Sequence, residues 1–227
     1  MGMVHLAVFT LKEYCRANWL YMETFLVAVL LFFYGKEYWM LGTQDVFPIL
    51  SFFALAAATL TTLRITGRET NTRIYILLTK KLSRCTYLCG KALAIFLLDG
   101  LYILGLFVLT FKFTKVSAEL TLIESLIHLI PVFLVLILAE SVFLFFSALV
   151  LRNPIFLVGL ILVILGVNHP SAVPVYFFLP IQQLIKSSYM PGGLSTETGL
   201  LAIFFIAFFF ALACWVFSSR ELDYKSK

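Results

Sequence analysis

Two carboxylic acids interrupt long apolar stretches of the sequence and are the residues best suited to chemistry inside a membrane. Asp99 lies in the stretch 92–111, and Glu140 lies in the stretch 122–151. A charged side chain at the centre of a bilayer costs about 2.5–3.5 kcal/mol on insertion scales, so each carboxyl group invites a functional interpretation as a polar residue of a translocation path. The open alternative is that each is protonated, or hydrogen-bonded to a neighbouring helix, and contributes only to packing.

Two further glutamates, Glu23 and Glu124, lie nearer to the ends of their apolar stretches. Glu124 and His128 stand four residues apart and therefore face the same side of a helix. We interpret this pair as an ordinary local contact near the outer surface.

The cysteines suggest one arrangement that could bind a metal. Cys85 and Cys89 are four residues apart and would share one face of a helix, but no further cysteine or histidine accompanies them in the sequence. We therefore expect reduced thiols and no metal site. A disulfide framework is not expected either, because all four cysteines fall in segments predicted to be cytoplasmic or within the membrane.

No motif for nucleotide binding or hydrolysis is present. Gly90-Lys91 is followed by Ala92, and position 85 is cysteine where a Walker A motif requires glycine. Neither a His-Glu-x-x-His zinc motif nor a Gly-x-Ser-x-Gly nucleophile motif occurs. The chain is not expected to be an enzyme or to hold a cofactor of its own.

The composition indicates an integral membrane protein. Hydrophobic residues make up 62% of the chain and charged residues 13%, whereas soluble domains have about 45–50% and about 25%. The mean hydropathy is +1.01. The 227 residues can hold several spans of about 20 residues each, but no additional soluble catalytic domain. The formal charge of +5 fits cytoplasmic loops that face anionic lipid better than a nucleic-acid partner.

The pattern predicts an all-α membrane domain over residues 1–227 with six transmembrane helices. Residues 1–18 are too polar to span and are expected to form a helix at the cytoplasmic interface. The fourth stretch is thirty residues long, so it should tilt, bend at Pro131 or extend beyond the membrane. Residues 168–198, which contain four prolines, should form one or two short outer helices arranged as a hairpin. The first predicted span is 19–34, and the second begins just before Pro48 and ends near Leu63. The other four predicted spans are 92–111, 122–151, 155–167 and 199–217.

The segment 64–91 is strongly basic and determines the predicted orientation. It contains seven basic residues and one acidic residue, so the positive-inside rule places it in the cytoplasm. With both termini cytoplasmic, thirteen of the seventeen lysines and arginines are inside, and only Lys36, Lys112, Lys115 and Lys186 are outside.

An amphipathic run, Ile74-Tyr75-Ile76-Leu77-Leu78, lies in the middle of this basic segment. It is expected to form a short cytoplasmic helix with Ile74, Leu77 and Leu78 on its apolar face. Such a helix could dock into a protein partner, or it could lie flat on anionic lipid.

The arrangement of spans and the motifs in this segment resemble the membrane subunit of ABC-2-type transporters. The local match covers Gly67-Arg68-Glu69, the run Leu77-Leu78-Thr79, Ser83-Arg84 and Gly90-Lys91. A second match is Phe146-Ser147-Ala148-Leu149, followed by Arg152-Asn153-Pro154. Thr70 and Leu82 depart from the family pattern, which commonly has glycine and proline at these positions.

The resemblance implies a permease subunit of an ATP-driven exporter in a bacterial inner membrane. Two permeases, either two copies or this chain with a homologous one, would pair, and separate ATPase subunits would bind ATP and magnesium. The coupling helix that docks on the ATPase would include Arg68, Glu69, Arg73, Ile74, Leu77 and Leu78. The cargo would be a drug, a lipid or a lipid-linked glycan. The alternatives are a permease resembling the haem exporter of cytochrome c maturation, and an intramembrane enzyme or scaffold outside the ABC class.

Overall fold

The structure, a computed structural model, describes residues 2–16, 24, 41–67, 83–147, 149–151, 155–168, 179–190 and 193–219. Every regular element in these ranges is a helix, and they contain no strand, so the predicted all-α class is confirmed. The helices are α1 (Met3–Arg16), α2 (Thr43–Gly67), α3 (Arg84–Phe113), α4 (Val116–Glu119), α5 (Leu122–Phe145), α6 (Phe156–Val167), α7 (Ile181–Ser187) and α8 (Thr196–Ser219).

Four helices in the described part of the chain, α2, α3, α5 and α8, are long and apolar enough to cross a membrane. They correspond to the predicted second, third, fourth and sixth spans and indicate a membrane protein. The predicted first span lies outside the described residues. The predicted fifth span corresponds to α6, which has 12 residues. At 1.5 Å per residue, α6 is about 18 Å long, shorter than the hydrocarbon core of about 30 Å.

The long helices α2, α5 and α8 run in one direction and α3 runs in the other, which defines two ends of the bundle. At one end, which we call the basic end, α1 lies across the start of α3 and the ends of α5 and α8. Its Leu6 belongs to a buried apolar cluster with Tyr87, Leu144 and Phe217. At the opposite end, which we call the far end, α4 and α7 lie beside the starts of α2 and α5.

The described charges differ between these two ends. The basic end has five basic residues and one acidic residue, and the far end has three basic residues and four acidic residues. Those at the basic end are Lys12, Glu13, Arg16, Arg64, Arg84 and Lys91, and those at the far end are Asp45, Lys112, Lys115, Glu119, Glu124, Lys186 and Glu197. Three of the four lysines predicted to lie outside therefore share the far end.

Helix α5 is the centre of the bundle and contacts α2, α3, α6, α7 and α8. Its Val132, Leu136 and Phe143 are completely buried. The helix continues through Pro131 and ends at Phe145 after 24 residues. The thirty-residue apolar stretch is therefore not one helix, because the backbone turns after Phe146 and the following residues join the cluster at the basic end.

Helix α3 begins at Arg84, eight residues before the predicted start of the third span. Ser83 explains this early start, because its Oγ accepts a hydrogen bond from the backbone N–H of Thr86 at 3.1 Å and so caps the first turn. Part of the predicted loop 64–91 is consequently helical, including the last turn of α2. Lys91 is buried, with its Nζ 5.6 Å from the centre of the Tyr87 ring.

Helix α2 also begins earlier than expected, so Pro48 lies in its second turn rather than its first. The start is held by a carboxylate from another element. Oε2 of Glu119 accepts hydrogen bonds from the backbone N–H and the hydroxyl of Thr43, at 2.7 and 2.6 Å. A negative charge at a helix N-terminus is stabilising because it faces unpaired N–H groups and the positive end of the helix dipole.

Glu124 and His128 lie close enough to interact electrostatically, and each side chain also makes another contact. Glu124 forms a capping box with Thr121 at the start of α5. Nδ1 of His128 lies 3.0 Å from the carbonyl oxygen of Ser188, next to the C-terminus of α7. Of the predicted outer hairpin 168–198, the described residues contain the short helix α7, and residues 169–178 and 191–192 lie outside the description.

Candidate functional site: a buried carboxyl pair beside a cavity

Three helices bring three polar side chains together in the apolar interior. They are Thr61 of α2, Asp99 of α3 and Glu140 of α5, with exposed fractions of 0%, 0% and 7%. The hydroxyl of Thr61 donates a hydrogen bond to Oδ1 of Asp99 at 2.8 Å. The carboxyl group of Glu140 lies beside that of Asp99, close enough for the two groups to interact. The structure thus unites the two intramembrane acids that the sequence singled out separately.

The closeness of the two carboxyl groups affects their protonation. Two carboxylates side by side in a low-dielectric interior repel each other. This repulsion favours a state in which one of the two groups holds a proton. A hydrogen bond between them would also need such a proton, because a carboxylate can only accept hydrogen bonds.

Glu140 also faces a cavity of about 320 Å³ that lies towards the basic end. Met3 of α1, Phe96 of α3 and Phe210 of α8 form part of its apolar wall. The hydroxyl of Ser141, which also lines the cavity, donates to the carbonyl oxygen of Leu138 at 2.8 Å. Among the described residues, Oε1 of Glu140 has no hydrogen-bond partner.

These features define what the site can bind. The wall of the cavity is apolar, and the carboxyl group of Glu140 lies buried behind it. The cavity is therefore complementary to the apolar part of a hydrophobic or amphipathic molecule, and a cationic group on such a molecule would be attracted to a charged Glu140. The volume lies at the lower end of the range of about 300–1,000 Å³ that is typical of small-molecule sites.

The residues predicted to form the coupling helix, Arg68 to Leu78, lie outside the described residues. The structure describes the positions on either side of them. Gly67 is the last residue of α2, and Ser83 caps α3. Both flanking positions lie at the basic end.

The structure contains a second cluster of side chains, which was not predicted from the sequence. Cys214 of α8 joins Cys85 and Cys89 of α3, and the three sulfur atoms lie within 4.8 Å of one another. The Sγ atoms of Cys85 and Cys214 are 3.1 Å apart. One signal could have suggested this group, because Cys214 lies near the end of a span that was predicted to finish on the same side as the start of α3. Cys89 also lines the cavity beside Glu140.

Comparison with protein-family models, with curated proteins and with solved structures found no match.

Proposed function

We propose that the chain is the permease subunit of an ATP-driven exporter, in which a separate ATPase moves a hydrophobic or amphipathic cargo outward. The observation that supports this proposal best is the cavity beside Glu140, because its walls belong to α1, α3, α5 and α8. Helix α3 continues directly from the basic segment that resembles the coupling region of ABC-2 permeases. A force on that segment would therefore act on a wall of the cavity.

The polar contacts extend this mechanical link. Residues 68–82 connect α2 to α3, and these two helices carry Thr61 and Asp99. A displacement of α2 relative to α3 would stretch the hydrogen bond from Thr61 to Asp99. It would thereby alter the partner of Glu140 and the polarity of the cavity. Docking and undocking of an ATPase could in this way change how strongly the cavity binds its cargo.

In this proposal the basic end faces the cytoplasm. The excess of positive charge at that end supports the orientation by the positive-inside rule. Helix α1 would then lie at the cytoplasmic interface, where its exposed Lys12 and Arg16 can reach anionic lipid headgroups. A second permease, identical or homologous, would complete the membrane part of the transporter.

One observation favours a second candidate function. A pair of buried carboxyl groups that shares a proton is an arrangement used for general acid–base catalysis. The pairing of Glu140 with Asp99 therefore supports an intramembrane enzyme more than the isolated residues did. Such an enzyme would act without any ATPase, which separates the two candidates experimentally.

The test is co-purification from the native host in detergent. The wild-type protein should bring down a nucleotide-binding protein and vanadate-sensitive ATP hydrolysis, and the double substitution Leu77→Asp with Leu78→Asp should lose both. The matched control is Asn71→Asp with Thr72→Asp, which adds the same charge to polar positions of the same segment and should retain the ATPase. If wild type and both variants yield no ATPase, the exporter proposal is wrong and catalysis by Asp99 and Glu140 becomes the leading function.

The role of the cavity is tested separately with Glu140→Gln. This variant keeps the size of the side chain but removes its charge. It should still co-purify the ATPase, whereas hydrolysis stimulated by an amphipathic cation should require about tenfold more of the cation, which corresponds to about 1.4 kcal/mol of binding free energy. Glu124→Gln, at the far end of the same helix, should respond like the wild type. If the Glu140→Gln variant were stimulated by the same concentrations of the cation as the wild type, this cavity would not be part of the translocation path.

A further inference from the structure

Three thiol groups from two helices converge at the basic end. Cys85 and Cys89 lie one turn apart on α3, and Cys214 reaches them from α8. Their sulfur atoms are all within 4.8 Å of one another, and those of Cys85 and Cys214 are 3.1 Å apart. Cys85 is exposed, while Cys89 and Cys214 are half-buried, so the group can be reached from the end of the bundle.

These distances suit a single metal ion with three sulfur ligands. Metal–sulfur bonds of about 2.3 Å place the sulfur atoms of a trigonal site about 4.0 Å apart. The Cys85–Cys214 separation of 3.1 Å is shorter than this value, and the other two separations are no more than 4.8 Å. Binding would require the close pair to open by about 1 Å, a change that rotation of two side chains can provide.

The composition of the cluster indicates which kind of ion it would bind. Thiolates favour soft ions such as copper(I), whereas magnesium, calcium and manganese prefer oxygen ligands. Structural zinc sites almost always have four protein ligands. Among the described residues, no histidine or carboxylate oxygen joins the three sulfur atoms within the same distance. A three-sulfur site therefore favours an ion that is stable with three ligands.

The surrounding contacts hold the ligands in place before any ion binds. Nη1 of Arg84 donates hydrogen bonds to the carbonyl oxygens of Phe217 and Ser218, at 3.4 and 2.9 Å. These bonds attach the end of α8, and with it Cys214, to the start of α3. Cys85 is the second residue of α3, in the turn that Ser83 caps, so its position at the start of the helix is fixed.

We propose that Cys85, Cys89 and Cys214 form a binding site for one soft monovalent cation of the copper(I) class. Each thiol loses its proton to become a ligand, so binding of one ion releases up to three protons and leaves a complex with two negative charges. The positive charge of Arg84 beside the site offsets part of this charge. The bound ion would join α3 to α8 next to the cavity wall that contains Cys89.

The experiment is an anaerobic titration of the purified full-length protein in detergent, with all four thiols first shown to be reduced. Copper(I) is supplied against a chromogenic copper(I) chelator that competes for the ion. The wild type should bind one ion per chain, and Cys89→Ser and Cys214→Ser should each weaken binding by about 100-fold or more, since the loss of second-shell groups alone costs 10–100-fold. Cys15→Ser, an exposed cysteine of α1, is the matched control and should bind like the wild type.

Three further results decide the assignment. Cys85→Ser changes an exposed side chain and should keep the wild-type gel-filtration profile, so its loss of copper(I) would not reflect unfolding. X-ray absorption should find three sulfur neighbours in the wild type and two in any complex that this variant retains. The proposal is overturned if Cys214→Ser keeps wild-type affinity, if Cys15→Ser loses it equally, or if zinc(II) binds stoichiometrically while copper(I) does not.

Discussion

The two ends of the bundle differ in what their polar contacts hold. At the far end, where the core is also apolar, polar contacts hold the start of α2. Glu119 binds the start of α2, and the backbone N–H of Lys115 donates to the carbonyl oxygen of Leu41 at 3.2 Å. At the basic end, α1 joins a cluster of apolar side chains in which Leu6 is completely buried, and Arg84 donates hydrogen bonds from α3 to the end of α8.

This difference bears on how the proposed permease would move. A hydrogen bond requires a defined distance and angle, so Glu119 fixes the start of α2 relative to α4. The cavity and the connection between α2 and α3 lie towards the basic end. A force applied there would therefore act on the walls of the cavity while the start of α2 stays attached.

The largest effect should come from a change in shape at the basic end. A Cβ added at Gly90 would lie 2.8 Å from Cδ2 of Leu6 and 3.1 Å from the carbonyl oxygen of Met3. Gly90→Val should therefore push α1 away from α3 and destabilise the protein by about 1–3 kcal/mol. Thermal unfolding in detergent measures this change. Gly105→Val is the control on the same helix, because no described atom lies within 4 Å of its added Cβ; equal melting temperatures would mean that α1 is not packed as described.

A smaller loss should follow when the polar connection at the basic end is removed. Arg84→Gln deletes the charge that donates to the carbonyl oxygens at the end of α8. Hydrogen bonds to charged groups contribute about 1.5–3 kcal/mol, and the lower value applies here because Arg84 is partly exposed. Amide hydrogen exchange in the last turn of α8 should accelerate. Lys12→Gln removes an exposed charge from α1 and should leave that exchange unchanged, so equal rates in the two variants would contradict the described connection.

At the far end, the expected effect is that of one helix cap. Thr121→Ala removes the hydroxyl that accepts from the backbone N–H of Glu124 at 3.3 Å. This should lower stability by about 1 kcal/mol, the usual cost of losing an N-cap side chain. Thr196→Ala, at the exposed start of α8, provides the comparison. If Thr121→Ala and Thr196→Ala have the same melting temperature, the capping box does not stabilise the start of α5.

The smallest effect is a pH dependence confined to the far end. The hydroxyl of Thr43 and then its backbone N–H hold the pKa of Glu119 below its ordinary value of 4.5. Because the folded-state pKa is the lower one, the stabilisation is fully present above about pH 4.5 and is lost as the pH falls through the lowered value. Melting temperatures across the acidic range should decline less for Glu119→Gln than for the wild type. Asp45→Asn, a nearby exposed acid, controls for general acid effects; identical pH profiles for Glu119→Gln and the wild type would reject the contact.

Hydropathy predicted most of the described helices, but it did not predict which side of each helix is buried. In a membrane protein, both the core-facing and the lipid-facing sides of a helix are apolar, so the pattern does not show which side is buried. Leu101 and Val108 of α3 are exposed, whereas Ile103 and Phe107 on the same helix are buried. All four are apolar, so their residue types do not distinguish the two sides. For this reason Asp99 and Glu140 could be selected as candidates, but their contact could not be predicted.

The helix starts show the same limit in another form. The cap at Ser83 lies three residues from its donor and could have been recognised from local sequence. The carboxylate that holds Thr43 is 76 residues away along the chain. Thr61 is 38 residues from Asp99, and Cys214 is 129 residues from Cys85. Contacts between residues so far apart in the sequence depend on how the helices pack, so spacing along the chain does not predict them.

The closeness of Asp99 and Glu140 gives the interior of the protein a charge that depends on how many protons the pair holds. With one proton, the pair carries a single negative charge among the buried residues of α3 and α5. Moving one elementary charge across a whole membrane changes its energy by about 2.3 kcal/mol for each 100 mV of potential. A movement of α3 and α5 that displaces the pair along the membrane normal would therefore be driven or opposed by the membrane voltage, and a second proton would make the same movement insensitive to it.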